Sequence, residues 1–153
     1  MRARPLRGAF LLLSILWAVG AQARTCTISS GGIAFLPYNP IAALNVTTIS
    51  SVFVQCNGRF QAVLSLNVGN GAGASFAGGR RMTRVGGGGS LAYNLYADSG
   101  LSVVLGNGTG GSVTLQLNGN NRFTQSVWAK IPGGQSAVRP GTYNDTVVAT
   151  ITY

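Results

Sequence analysis

The amino-acid sequence predicts an all-β fold, an antiparallel β-sandwich, and three observations lead to this class. Apolar and polar residues alternate with a period of two in several segments, which is typical of half-buried strands. Asn-Gly pairs, which favour tight turns, recur between these segments. No segment of helical length keeps an apolar period of 3.6 residues without an interruption by Gly or Pro. Short strands that recur between turn signals indicate a sandwich.

The strand pattern can be followed along the chain. Residues 49–56 place Val52, Val54 and Cys56 on one face, and residues 60–68 alternate throughout. Gly31-Gly32 interrupts the first strand, and the following prolines force a loop. In order, the predicted strands cover residues 26–28, 33–35, 49–56, 60–68, 91–97, 101–105, 113–117, 125–131 and 143–153, with Asn-Gly turns at 57–58, 70–71, 107–108 and 118–119.

The last predicted strand, residues 143–153, has one mostly apolar face and many β-branched residues. The sequence stops at Tyr153, still within this pattern. The neighbouring position in the sheet is therefore unassigned. Because an unpaired apolar edge promotes aggregation, we expect another element to cover it.

Residues 1–23 are predicted to be a secretory signal peptide. Three arginines precede an apolar run at residues 9–20, and Ala21-Gln22-Ala23 has the small-x-small pattern of a cleavage site. The apolar run is too short for a transmembrane helix, and no later segment reaches membrane-spanning length. We therefore expect export to the periplasm and one mature domain at residues 24–153.

Charge and composition argue against catalysis. The whole chain has 11 Lys and Arg residues, two acidic residues and no His. Asp98 and Asp145 are the two acids, which leaves almost nothing from which to build an acid–base pair or a triad. The glycine string at 106–111 resembles a dinucleotide-binding motif but is followed by a strand pattern instead of a helix. We predict no enzymatic activity and no cofactor.

Cys26 and Cys56 are predicted to form a disulfide bond, because the chain carries an export signal. A zinc site would need further Cys or His ligands, and a catalytic thiol would need a His base. The chain has no His and only these two Cys residues, so we predict no metal site.

A glycine-rich basic segment at residues 78–89 contains Arg80, Arg81 and Arg84. Our first interpretation is a solvated connection between strands. The alternative is a contact with an acidic polymer through the three arginines. Nearby aromatic residues alternate in strands and do not interleave with the arginines, which argues against nucleic-acid binding.

Taken in order, the short motifs of the mature chain resemble the spore coat protein U domain, a family shared with subunits of archaic chaperone–usher pili. The resemblance covers essentially residues 24–153. It rests on Cys26-Thr-Ile28, Gly32-Ile-Ala-Phe35, Tyr38-Asn-Pro40, Val52-Phe-Val-Gln-Cys56, Arg81-Met82, Leu91-Ala-Tyr93-Asn-Leu-Tyr96, Gly106-Asn-Gly108-Thr-Gly110, Ile131-Pro132 and Gly141-Thr-Tyr143-Asn-Asp145-Thr-Val147.

The resemblance implies an immunoglobulin-like sandwich that lacks its final strand. Such pilins accept a strand from a periplasmic chaperone, and later from another subunit, by β-augmentation. The implied partners are therefore a chaperone, an outer-membrane usher and other pilus or coat subunits. The groove is expected to be lined by Ile28, Ile33, Phe35, Val147, Ala149, Ile151 and Tyr153. Because only Arg24 and Thr25 precede Cys26 in the mature chain, this subunit is expected to accept a strand without donating one.

Two functional hypotheses follow. The first is a non-enzymatic structural or adhesive subunit of a bacterial surface assembly, either an archaic pilus or a spore or cyst coat. The second is a secreted binding module that holds an acidic polymer through the Arg80–Arg84 segment.

Overall fold

The computed structural model describes residues 24–153, and the predicted signal peptide at residues 1–23 lies outside them. The regular secondary structure of the described region consists of β-strands, and no helix in it is long and apolar enough to span a membrane. The strands are β1 (Cys26–Ser30), β2 (Val46–Leu66), β3 (Arg80–Arg84), β4 (Ser90–Tyr96), β5 (Leu115–Ile131), β6 (Tyr143–Asn144) and β7 (Ala149–Thr152).

All pairings between these strands are antiparallel, in the order β1-β2-β5-β4-β3-β6. The seventh strand, β7, pairs with the edge of β2 opposite β5, which is also the edge that β1 uses. β4 joins two layers, because residues 90–93 pair with β3 whereas residues 94–96 pair with β5. A strand that changes partners in this way forms a corner between two packed sheets. The predicted all-β antiparallel sandwich is confirmed.

The core lies between the two layers and follows the period-two pattern of the sequence. β2 and β5 pair from Val46↔Ile131 to Leu64↔Leu115 and form the centre of the larger sheet. Their inward side chains are fully or nearly fully buried. The core residues of these two strands are Val52, Val54, Cys56, Phe60, Ala62, Leu64, Leu66, Leu117, Val127, Ala129 and Ile131.

A disulfide bond joins Cys26 of β1 to Cys56 of β2, at positions directly opposite each other in the ladder. The disulfide that we predicted from the two cysteines is therefore present. The bond closes a loop with a sequence separation of 30. In the chain-entropy model, a loop of that size stabilises the fold by about 3–4 kcal/mol.

Two of the predicted Asn-Gly turns are wrong. Asn57-Gly58 lies inside β2, where the register shifts between Gln55 and Arg59 and forms a bulge. Asn118-Gly119 lies inside β5. A Cβ atom at Gly119 would lie 2.6 Å from Cε1 of Phe60, so this glycine makes room for an aromatic ring and does not reverse the chain.

Several predicted strands also differ from the observed ones. Residues 33–35 form no regular strand, and residues 101–105 make only isolated bridges, at Val104 and Leu105. The predicted strand at 143–153 is two short strands, because the chain leaves the edge of β3 after β6 and reaches the edge of β2 at β7. The segment at 80–84, predicted to be a loop, is strand β3.

Candidate strand-accepting groove

An open cleft of about 970 Å³ lies between the two ends of the strand order. One wall is the chain that follows β1, residues 32–40, and the other is residues 138–147, which include β6. The floor is the side of the core that faces the cleft. Its apolar side chains belong to Val52, Leu66, Met82, Leu91, Leu95, Val127 and Ile131.

The first wall is held by contacts between loops and by one aromatic pair. The Tyr38 hydroxyl donates to the carbonyl oxygen of Pro132 at 3.0 Å and accepts from the backbone N–H of Gln135 at 3.0 Å. The Gln135 amide in turn exchanges two hydrogen bonds with the backbone of Ala92 in β4. Phe35 packs edge-on against Tyr93, with ring centroids 6.2 Å apart. These contacts fix the wall although it contains no regular strand.

The second wall is held by Asp145, which follows β6. Its carboxylate accepts hydrogen bonds from the Tyr93 hydroxyl at 2.7 Å and from the backbone N–H of Asn70 at 2.7 Å. Gly69 makes this approach possible, because a Cβ atom there would lie 2.1 Å from Oδ2 of Asp145. Burial, and then the hydrogen bond to Asp145, raise the pKa of Tyr93. The phenol is therefore a neutral donor, and it ties the second wall to the floor.

Two sheet edges next to the cleft are unpaired within the described region, β1, whose last residue Ser30 lines the cleft, and β6, which lines it with both of its residues. β1 and β6 stand at opposite ends of the strand order, and neither has a second neighbour among residues 24–153. An edge strand presents unpaired N–H and C=O groups along its free side. The cleft therefore combines an apolar floor with backbone groups on either side that can accept another strand.

The residues that we predicted for the groove do not all lie in it. Four of them line the cleft: Ile33, Phe35, Val147 and Ala149. Ile28 and Ile151 are partly buried against the core at the outer edge of β2, opposite Val54 and Leu64. Tyr153 is 55% exposed and does not line the cleft. For Ile151 and Tyr153 the reason is the break at residues 145–148, after which β7 pairs with β2 and not with β3. Ile28 lies in β1, where it pairs with Val54.

A large part of the site was not predicted from the sequence. Leu66, Leu91 and Leu95 occupy inward positions of predicted strands, so their period-two pattern could have assigned them to the floor. Tyr38 and Val138 lie on irregular segments. No periodic signal marks such positions.

The predicted polyanion contact at Arg80 is wrong. Its side chain is fully buried, and its guanidinium donates to the Asn94 side chain at 2.7 Å and to the carbonyl oxygens of Asn67 and Leu105 at 3.0 and 2.8 Å. The Phe76 ring lies 5.1 Å away. Burial lowers the pKa of Arg80 from its ordinary value. Arg80 is thus a structural residue that joins three chain segments.

The other two arginines of that segment are partly exposed. Nε of Arg84 donates to the carbonyl oxygen of Pro140 at 2.9 Å and supports the second wall. Arg81 lies in β3 beside a shallow depression that also contains Ser90 and Gln135. Among residues 24–153, no group of three or more His, Cys, Asp or Glu side chains could hold a metal ion.

Comparisons with known proteins agree with this architecture. The family model of the Spore Coat Protein U domain matches residues 13–150. "Protein U" of Myxococcus xanthus is 36% identical over 140 residues, which cover 84% of this chain and 77% of that protein.

Among solved structures, the CsuC–CsuE chaperone–tip adhesion subunit pre-assembly complex from archaic chaperone–usher Csu pili of Acinetobacter baumannii shows the same fold. The match has a TM-score of 0.60 at 20% identity and covers 86% of this chain but only 40% of that chain. A second match is HdaB, the minor tip subunit of the E. coli Hda pilus. It has a TM-score of 0.41 at 15% identity and covers 83% of this chain and 79% of that one.

Proposed function

Because the chain belongs to the Spore Coat Protein U domain family, we propose that it is a non-enzymatic structural subunit of a secreted bacterial surface assembly. Its sandwich is completed by a β-strand from another protein, which lies in the cleft between β1 and β6. The assembly is a pilus or a spore or cyst coat. The first donor is a periplasmic chaperone, and the later donor is a neighbouring subunit that is added at an outer-membrane usher.

The observation that carries this proposal is the cleft itself. Folded interiors contain few voids larger than a water molecule, yet about 970 Å³ of open space lies directly against the core. An added strand would satisfy both the apolar floor and the unpaired backbone edges of such a site. Its inward side chains cover the apolar floor, and its backbone pairs with the free edges.

A small molecule is the other kind of occupant for a cleft of this volume. A compact apolar ligand would cover the floor around Met82 and Leu91. It would leave the backbone groups of β1 and β6 without partners along their free sides. The two unpaired edges therefore favour a strand.

The same cleft supports the proposed partners. The solved complex with this fold contains a chaperone bound to a pilus subunit before assembly. Such a chaperone would cover the apolar cleft during passage through the periplasm, because unpaired sheet edges beside an open cleft promote aggregation. We place the mature protein at the cell surface after assembly. The predicted signal peptide at residues 1–23 supplies the export step.

The second hypothesis, that an acidic polymer binds to the segment at residues 80–84, has less support than strand acceptance. Arg80 is buried and Arg84 is hydrogen bonded to Pro140 and Gly87, which leaves Arg81 as the free cation of the three. A single exposed arginine contributes little to binding of a polymer.

The proposal can be tested with two adjacent valines. Val147 lines the cleft, whereas Val148 is 53% exposed on the other side of the same segment. A peptide with alternating apolar residues is added to the exported protein, and binding is measured by calorimetry. Val147→Asp should abolish binding because it places a charge against the apolar floor, whereas Val148→Asp should bind like the wild type. Equal binding by all three proteins would contradict the proposed strand site.

A further inference from the structure

The side of the β2–β5 ladder that faces away from the core has a surface of its own. It carries the odd-numbered residues of β2 from 47 to 55 and the even-numbered residues of β5 from 122 to 130, since their neighbours Val54, Val127 and Ala129 are buried. We call this surface the outer face. The cleft floor, with Val52, Val127 and Ile131, lies on the opposite side of the same sheet, and of the outer-face residues Ser51 also reaches the rim of the cleft.

The middle of the outer face is apolar and partly aromatic. Ile49 pairs with Trp128, and the two residues lie side by side across the strands. Phe53 pairs with Thr124 four residues further along. Ile49 is 56% exposed and Phe53 is 48% exposed, while Trp128 is half-buried. Large apolar side chains in such positions often mark a contact surface.

Cations lie at both ends of this apolar centre. Arg122 and Arg59 are exposed at one end, where the bulge in β2 brings Arg59 opposite Asn120. Lys130 lies at the other end, with Nζ 4.9 Å from the centroid of the Tyr96 ring. Eight residues of an extended strand separate Arg122 from Lys130, which corresponds to about 27 Å.

The acidic side chains of the chain do not neutralise the outer face. Asp98 is engaged within its own turn, where its carboxylate accepts hydrogen bonds from Ser102 and Val103. Asp145 is engaged beside the cleft with Tyr93. The outer face therefore presents separated positive charges on either side of an aromatic and aliphatic centre.

We propose that the outer face binds an acidic polysaccharide. Sugar rings lie over Phe53, Ile49 and Trp128, and the carboxylate or sulfate groups of the polymer contact Arg59 and Arg122 at one end and Lys130 at the other. Aromatic side chains provide flat apolar contact surfaces, and exposed cations attract the anionic groups. Polysaccharide binding by the outer face is separate from strand acceptance in the cleft, because Phe53, Ile49 and Trp128 lie on the side of the sheet opposite the cleft floor.

Two other occupants fit this surface less well. Double-stranded DNA carries one charge per about 1.7 Å of its axis, which requires a much denser row of cations. A second copy packed on the same face through a two-fold axis would bring cations against cations, because both charged ends carry the same sign. A polymer with anionic groups spaced between neutral ring surfaces matches the distribution better.

The test compares two double variants with equal loss of charge. Arg122→Gln with Lys130→Gln removes a cation from each end of the outer face, and Arg81→Gln with Arg139→Gln removes two cations elsewhere. Retention of the exported protein on immobilised alginate is measured against salt concentration, with neutral dextran and duplex DNA as comparison surfaces. The outer-face variant should bind alginate about tenfold more weakly than the wild type, and the control variant should bind normally.

Phe53→Ser keeps every charge and tests the apolar centre. We expect it to weaken alginate binding while its thermal unfolding remains close to that of the wild type, because Phe53 is outside the core. Equal weakening by both charge variants would show general electrostatic attraction and overturn the proposal. Unchanged binding by Phe53→Ser, tighter binding to DNA than to alginate, or self-association that the outer-face variant abolishes would also overturn it.

Discussion

Arg80 is the position at which a single substitution should reveal most about the stability of the fold. Its guanidinium reaches Asn94 in β4, Asn67 after β2 and Leu105 in the loop between β4 and β5. No buried side-chain nitrogen or oxygen in the described region lacks a partner. Arg80→Met keeps most of the volume of the side chain but removes all of these donors.

The expected cost can be worked out from these contacts. Each buried acceptor that loses its donor costs about 1–3 kcal/mol, and this applies to the carbonyl oxygens of Asn67 and Leu105. Oδ1 of Asn94 keeps the hydrogen bond from the backbone N–H of Leu95. Arg80→Met also removes the desolvation cost of a buried charge, and this gain offsets part of the free energy lost with the hydrogen bonds. We expect a net destabilisation of about 3 kcal/mol, a large share of the 5–15 kcal/mol typical of a domain.

Urea unfolding followed by tryptophan fluorescence measures this effect. A loss of that size should lower the midpoint by about 1–3 M. Arg81→Met is the matched control, since Arg81 is the next residue in the same strand and is partly exposed. The control should unfold within about 0.5 kcal/mol of the wild type. Equal midpoints for the two variants would refute the structural role of Arg80.

Three further predictions concern other parts of the fold. Cys56→Ser should lower the free energy of unfolding by about 2–5 kcal/mol, and an unchanged urea midpoint under oxidising conditions would contradict this. Gly119→Ala should cost about 1–3 kcal/mol because the new Cβ meets the Phe60 ring at 2.6 Å, and wild-type thermal unfolding would show that the ring can move aside. Hydrogen bonds from Val103 and Ser102 lower the pKa of Asp98 below its ordinary value, so their stabilisation is present at neutral pH and is lost as the pH falls through the folded-state pKa. The free energy of unfolding of Asp98→Asn should therefore change less than that of the wild type between neutral and strongly acidic pH. If the two free energies change in parallel with pH, the Asp98 carboxylate has no such stabilising role.

The parts of the fold that the sequence predicted are those with a strong period of two. The core faces of β2, β4 and β5 could be assigned in this way. The disulfide could be assigned from the two cysteines and the export signal. The Asn-Gly pairs at 57–58 and 118–119 do not form the predicted turns, because the first lies in a bulge and the second makes room for an aromatic ring. Local sequence does not distinguish these uses, since each depends on the strand that lies opposite.

The candidate site was harder to predict for a related reason. The alternation at residues 143–153 indicates a strand but does not show that Asp145 binds Tyr93 and Asn70 and turns the chain toward β2. Ile151 and Tyr153, which follow this contact in the chain, lie outside the cleft. Arg80 was wrongly predicted to be exposed, because a glycine-rich sequence around it suggests a solvated loop. Its burial depends on acceptors from three distant segments.

Hydrogen exchange of the edge strands tests most directly whether the sandwich lacks a strand that another chain supplies. The exported protein is compared with a version that carries an alternating apolar segment after Tyr153 through a short linker. A third version carries the same residues rearranged so that no face of the segment is apolar. We predict that the alternating segment slows exchange of the backbone amides of β1 and β6 and raises the melting temperature, whereas the rearranged segment does neither. A protein that without any added segment already protects these amides and unfolds cooperatively at high temperature would contradict the account.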